Sequence, residues 1–88
     1  MDNEILLNNT FNYINTQDDI VDIKIVSIEH YHDNYYLVNY YFIENGKELI
    51  DDVHDGAIYV KDGFAYLHRS IEEAKYFELS TAMIRIKI

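Results

Sequence analysis

The chain has 88 residues, 16 of them Asp or Glu against 7 Lys or Arg, giving a formal charge of −9. It contains no cysteine, proline or tryptophan, yet 49% of it is apolar, with nine tyrosines and four phenylalanines. The length excludes a multidomain enzyme, the apolar content a disordered acidic tail, and the absent cysteines a disulfide or thiolate-metal staple; the charge opposes direct binding to nucleic acid or anionic lipid.

Met1-Asp2-Asn3-Glu4 opens acidic, without the basic and apolar segments of a secretory leader, and charge interrupts every apolar run before it reaches membrane-spanning length. The expectation is one domain over 1–88 in the cytoplasm, that of the host cell if the gene is phage-borne. Residues 3–16 read as a helix, because Leu7, Phe11 and Ile14 recur at i, i+4 and i+7. Asp2 would cap it and Glu4 would favour its first turn, against the poor helix formers Asn8, Asn9, Thr10, Asn12 and Asn15.

Residues 20–31 read as a strand: Val21, Ile23 and Ile25 alternate with Asp22 and Lys24, then the apolar set shifts phase to Val26 and Ile28. Such a shift predicts a bulge or a change of covered face. His32-Asp33-Asn34 turns into an aromatic strand over 35–44. Asn45-Gly46 supplies the positive φ angles of a type I′ turn, so 35–44 and 47–54 should form a hairpin. Asp55-Gly56 reads as a turn before a strand at 57–61, and Lys61-Asp62-Gly63 as a turn before a strand at 64–68. Ser70-Ile71-Glu72-Glu73 fits a capping box opening a helix over about 71–79. Ile84, Ile86 and Ile88 alternate with Arg85 and Lys87 in a final strand over 81–88. The expected class is α+β: an antiparallel meander of about five to six strands, an N-terminal helix and a short helix before the last strand.

The aromatic strand is apolar on both faces, with Tyr35, Leu37, Asn39, Tyr41 and Ile43 on one and Tyr36, Val38, Tyr40 and Phe42 on the other. Two short helices could hardly cover both. Tyrosine suits interfaces, so Tyr36, Tyr40 and Phe42 are candidates for a self or foreign interface, including a homodimer; the plainer reading is a half-buried sheet face.

Charge is uneven. Residues 1–22 carry five carboxylates and no base, and residues 44–62 carry Glu44, Glu48, Asp51, Asp52, Asp55 and Asp62 against Lys47 and Lys61. These six are candidate partner-binding residues, able to imitate a row of phosphates for a protein with a basic surface; the plainer reading is solvation.

Catalytic motifs are absent: no phosphate loop, no G-x-S-x-G, no H-E-x-x-H. His30-x-His32 with Glu29 and Asp33 suggests a weak metal pair, and Asp55 with His68 a remote acid/base pair. Only sequence proximity links the first group, and no nucleophile or cleft accompanies the second, so no cofactor, no metal and no catalysis are expected.

In size and charge the chain resembles the small acidic inhibitors of phages and mobile elements: anti-restriction and anti-CRISPR proteins and nuclease immunity proteins. This likeness of physical type rests on no motif and assigns no residue a role. It implies a DNA-mimicking inhibitor of a nucleic-acid-handling protein. A homo-oligomeric module using the tyrosine strand, and a small metal-dependent enzyme using the histidines, are the alternatives.

Overall fold

Antiparallel strand pairing organises the molecule, which is described over residues 3–88 by a computed structural model. The elements are α1 (Asn3–Leu7), β1 (Thr10–Ile14), β2 (Ile20–His32), β3 (Tyr35–Glu44), β4 (Lys47–Glu48), β5 (His54–Lys61), β6 (Phe64–His68), α2 (Ile71–Tyr76), a 3-10 turn (Leu79–Thr81) and β7 (Ile84–Lys87). The sheet order is β1-β2-β3-β5-β6-β7, with β4 sharing the β3 edge with β5. The two ends of this order, β1 and β7, come into contact, so the sheet curls into a nearly closed barrel. The α+β meander stands, with seven strands among the described residues where five to six were expected. Among those residues no helix is long and apolar enough to cross a membrane.

Register sorts the side chains, because directly paired residues share a face. Tyr13↔Val21, Ile23↔Phe42, Ile25↔Tyr40, Ile58↔Leu67 and Ala65↔Ile86 all point inward. With Leu6 of α1 they form the main core. The outer face carries Ser27↔Asn39↔Asp55 in one row and Glu29↔Leu37↔Ala57 in the next. On this side α2 packs against β5 and β6, burying Ala74 over the region of Ala57 and His68.

Several local expectations hold for their stated reasons. The phase shift in β2 is a register irregularity between Ile25 and Ser27. Asn45 and Gly46 have φ of 53° and 77°, and Asp62 and Gly63 have 52° and 81°. Ser70 caps α2, accepting from the Glu73 amide at 3.1 Å, while the Glu73 carboxylate accepts from the Arg69 amide at 3.1 Å.

Others are corrected. The helix expected over 3–16 ends at Leu7, where Asn8 and Asn9 stop it, and residues 10–14 form β1. Phe11 fits a period of two with Tyr13 as well as a helical stripe with Leu7 and Ile14, and pairing with β2 buries Tyr13 while leaving Ile14 exposed. The expected Asp2 cap lies outside the described residues. The strand expected over 47–54 stops at Glu48, since Asp51 and Asp52 are poor strand formers and β5 occupies the rest of the β3 edge. Asp55-Gly56 is no turn: both residues sit within β5, opposite Asn39 and Val38. α2 ends at Tyr76 and the last strand covers only Ile84–Lys87.

Candidate functional site

The acidic candidates divide by position. Glu44, Glu48, Asp51 and Asp52 lie at the end of the sheet where β3 turns into β4, and Asp55 lies just inside β5. Asp62 belongs to the β5–β6 turn at the opposite end, seven residues of strand or about 23 Å away. The topology also brings the first acidic stretch to the same end as Glu44. Asp22 pairs with Ile43, and Asp19 and Glu44 line one cavity of about 250 Å³. The β1–β2 loop that carries Asp18 and Asp19 is fixed by Asn15, whose Oδ1 accepts from the Gln17 and Asp19 amides at 2.9 and 3.0 Å. Seven carboxylates thus share one end: Asp18, Asp19, Asp22, Glu44, Glu48, Asp51 and Asp52. Among the described residues, none of the seven has a Lys or Arg within 4.0 Å. Glu48 accepts from the Tyr41 hydroxyl at 3.1 Å. Ile14 and Ile20, paired on the outer face beside them, are 62% and 71% exposed.

The aromatic candidates are spent on the core. Tyr40 is 3% exposed, and Tyr36 and Phe42 are half-buried against the core. Curling of the sheet turns this face inward, so these residues take part in the core. Tyr40 and Phe42 border an opening about 270 Å³ in volume, together with Tyr13, His54, Asp55, Arg69 and Met83. The rings pack closely: His54 stacks on Tyr40 at 5.4 Å and meets Phe42 at 5.1 Å. Arg69 Nη2 donates to Tyr13 Oη at 2.8 Å across this mouth. Burial raises the Tyr40 phenol pKa, with Arg69 acting in the opposite direction.

Sequence reasoning missed an outer groove of about 700 Å³ between the start of α2 and strands β2, β3 and β5. A polar ladder crosses it: Ser27 Oγ donates to Asn39 Oδ1 at 2.7 Å, and Asn39 Nδ2 donates to Asp55 Oδ1 at 2.6 Å. Leu37, Ile28 and Ile71 add apolar surface, and Glu29 lies one row from the ladder. The available signal was Asn39, the one polar residue before Glu44 in an otherwise apolar strand. This ladder cannot activate the serine, because an amide oxygen between hydroxyl and carboxylate takes no proton.

The histidines do not converge. His30 Nε2 donates to the Asp33 carbonyl at 2.8 Å, and its ring lies against Tyr36. His32 approaches Asp33 at 3.1 Å and His54 approaches Asp52 at 3.5 Å. Among the described residues, no group of three or more His, Cys, Asp or Glu is placed to hold a metal ion.

His68 is 1% exposed, on the sheet face covered by α2, and neither ring nitrogen has a hydrogen-bond partner among the described residues. Burial lowers its pKa, with Glu73 pulling the other way. The unfolded chain therefore binds the extra proton first, and stability falls as pH drops below about 6.5. The slope from this group reaches at most about 1.4 kcal/mol per pH unit. His68→Leu should flatten the wild-type loss between about pH 6.5 and 5 in urea titrations without lowering stability at pH 7.5, because no hydrogen bond is lost. Parallel pH profiles for the two proteins would contradict this.

Comparison with protein-family models, curated proteins and solved structures found no match to this chain.

Proposed function

We propose that this is a small acidic, non-catalytic binding protein that occupies a basic, nucleic-acid-handling partner and inhibits or regulates it by charge mimicry. The observation that carries this reading is the meeting of two acidic stretches, 18–22 and 44–52, at one end of the sheet, without Lys or Arg ion pairs among the described residues. Unneutralised carboxylates on fixed turns present a negative field to a partner groove lined by Lys and Arg. The exposed Ile14–Ile20 pair adds apolar surface beside the Asp18–Asp22 stretch, and protein interfaces combine apolar and charged surface in this way. The proposed place of action is the cytoplasm, beside the partner. Self-association through Tyr36, Tyr40 and Phe42 finds no support, since the core uses that face.

A partner captured from the native host, then purified, provides the test. The protein should displace nucleic acid from it. Changing Asp18, Asp19, Asp51 and Asp52 together to Asn should weaken binding by about tenfold or more at low salt, and added salt should weaken the wild-type complex. Unchanged affinity in the quadruple variant, or a partner that still binds its nucleic acid, would overturn the reading.

A further inference from the structure

We propose that the outer groove binds an aliphatic cation, an ammonium or guanidinium head on an apolar stem. Its volume of about 700 Å³ lies within the span of small-molecule sites, roughly 300–1,000 Å³. The hydrogen-bonded ladder is directional. Ser27 donates to Asn39 and Asn39 donates to Asp55, so the chain ends on a carboxylate held by one oxygen. Asp55 Oδ2 has no partner among the described residues. The ladder thus ends on a carboxylate with one oxygen to spare, in the wall of the groove. Glu29 adds a second negative charge on the same face, one row along (about 6.6–6.8 Å by strand rise) and two strands across (about 9.4–9.8 Å) from Asp55.

Leu37 lies between those rows and Ile71 faces them from α2, supplying a surface for a methylene stem. Long cationic side chains and amines bind in this manner, with the stem on apolar surface and the head at a carboxylate. Arg69 also lines the groove, but its guanidinium donates to Tyr13 in the barrel mouth and makes no ion pair with Asp55 or Glu29 among the described residues. Anchor side chains of interfaces are enriched in Arg, so one source of the cation is a side chain of the basic partner, a case that rests on the proposed function. The other source is a free aliphatic amine.

The test is a ¹H–¹⁵N NMR titration of the whole chain with n-pentylammonium, N-acetyl-lysine methylamide, N-acetyl-norleucine methylamide and pentanoate. Saturable shifts at Ser27, Leu37, Asn39, Asp55 and Ile71 are expected with the two cations, and none with norleucine or pentanoate. Asp55→Asn should weaken the cations about tenfold, the loss of one charge-assisted contact, while leaving the fold's spectrum in place. Ile71→Ser should weaken n-pentylammonium but not methylammonium, titrated beside it as a cation without a stem. Binding of both cations supports a side-chain ligand; binding of n-pentylammonium alone supports a free amine. Shifts confined to Asp18–Asp22 and Glu44–Asp52 would overturn the groove proposal and leave charge mimicry standing. Preference for pentanoate, or no saturable shift in the groove, would also overturn it.

Discussion

Tyr40→Ala is expected to cost about 3–5 kcal/mol of folding free energy, the range for emptying a buried aromatic position. Tyr40 is 3% exposed, packs edge-on to Phe42 and against the His54 ring, and points its hydroxyl at Met83 Sδ, 3.5 Å away. Truncation removes those contacts together and leaves a hole that β2, β3 and β5 cannot close without breaking register. Small domains are commonly stable by only about 5–15 kcal/mol, so the variant should sit near the edge of folding. Urea denaturation followed by circular dichroism measures the loss. Tyr76→Ala is the control, since Tyr76 is 80% exposed and its removal should change stability by no more than about 0.5 kcal/mol. A Tyr40 variant as stable as the Tyr76 variant would contradict the inward assignment of this face. Any association lost in a Tyr36/Tyr40 double variant would report unfolding and say nothing about an interface.

Tyr40 also shows where local patterning stops being informative. An apolar pattern on both faces of residues 35–44 states that both are covered, without naming the cover. Here the sheet covers its own inner face by curling until β1 meets β7, while α2 covers part of the outer face. Curling depends on twist accumulated across six paired strands and on register irregularities near Val26 and Tyr31, none of which the strand encodes by itself.

Features with short-range causes were legible. Asn45-Gly46 and Asp62-Gly63 need positive φ, Ser70 and Glu73 satisfy free amides at a helix start, and the β2 bulge follows from a change of phase within consecutive residues. β1 was obscured because Phe11 serves two periodicities and only pairing with β2 selects between them. The acidic candidates were visible as two stretches, but their meeting at one end follows from the β1–β2 and β3–β4 hairpins. The groove was the least legible feature: Ser27, Asn39 and Asp55 are separated by 12 and 16 residues and become neighbours only through strand pairing.

Gly56 joins these scales, and Gly56→Ala is expected to destabilise the protein by about 2–3 kcal/mol, within the range for overpacking a core. Beside Asp55 it resembled a turn glycine, yet it lies within β5 and shows no positive φ. Its reason is space. A Cβ there would stand 2.9 Å from the His68 carbonyl oxygen and 2.9 Å from Tyr40 Cε1. The oxygen belongs to the neighbouring strand and cannot rotate away, so β5 and β6 must separate or Tyr40 must leave its place. Either displacement reaches the Tyr40 cluster on the inside and the groove wall on the outside. In a domain of this size, melting should fall by on the order of 10–20 °C. Gly46 offers the internal comparison, with φ of 77° and no atom within 4 Å of a built Cβ. Gly46→Ala should cost only about 1–2 kcal/mol, and Gly46→Asn should recover most of that because asparagine tolerates the left-handed region. Gly56→Asn should recover nothing, since a crowded site has no use for a permissive backbone. If asparagine rescues both positions equally, Gly56 acts through backbone conformation, and the close packing of β5 on β6 is not what requires it.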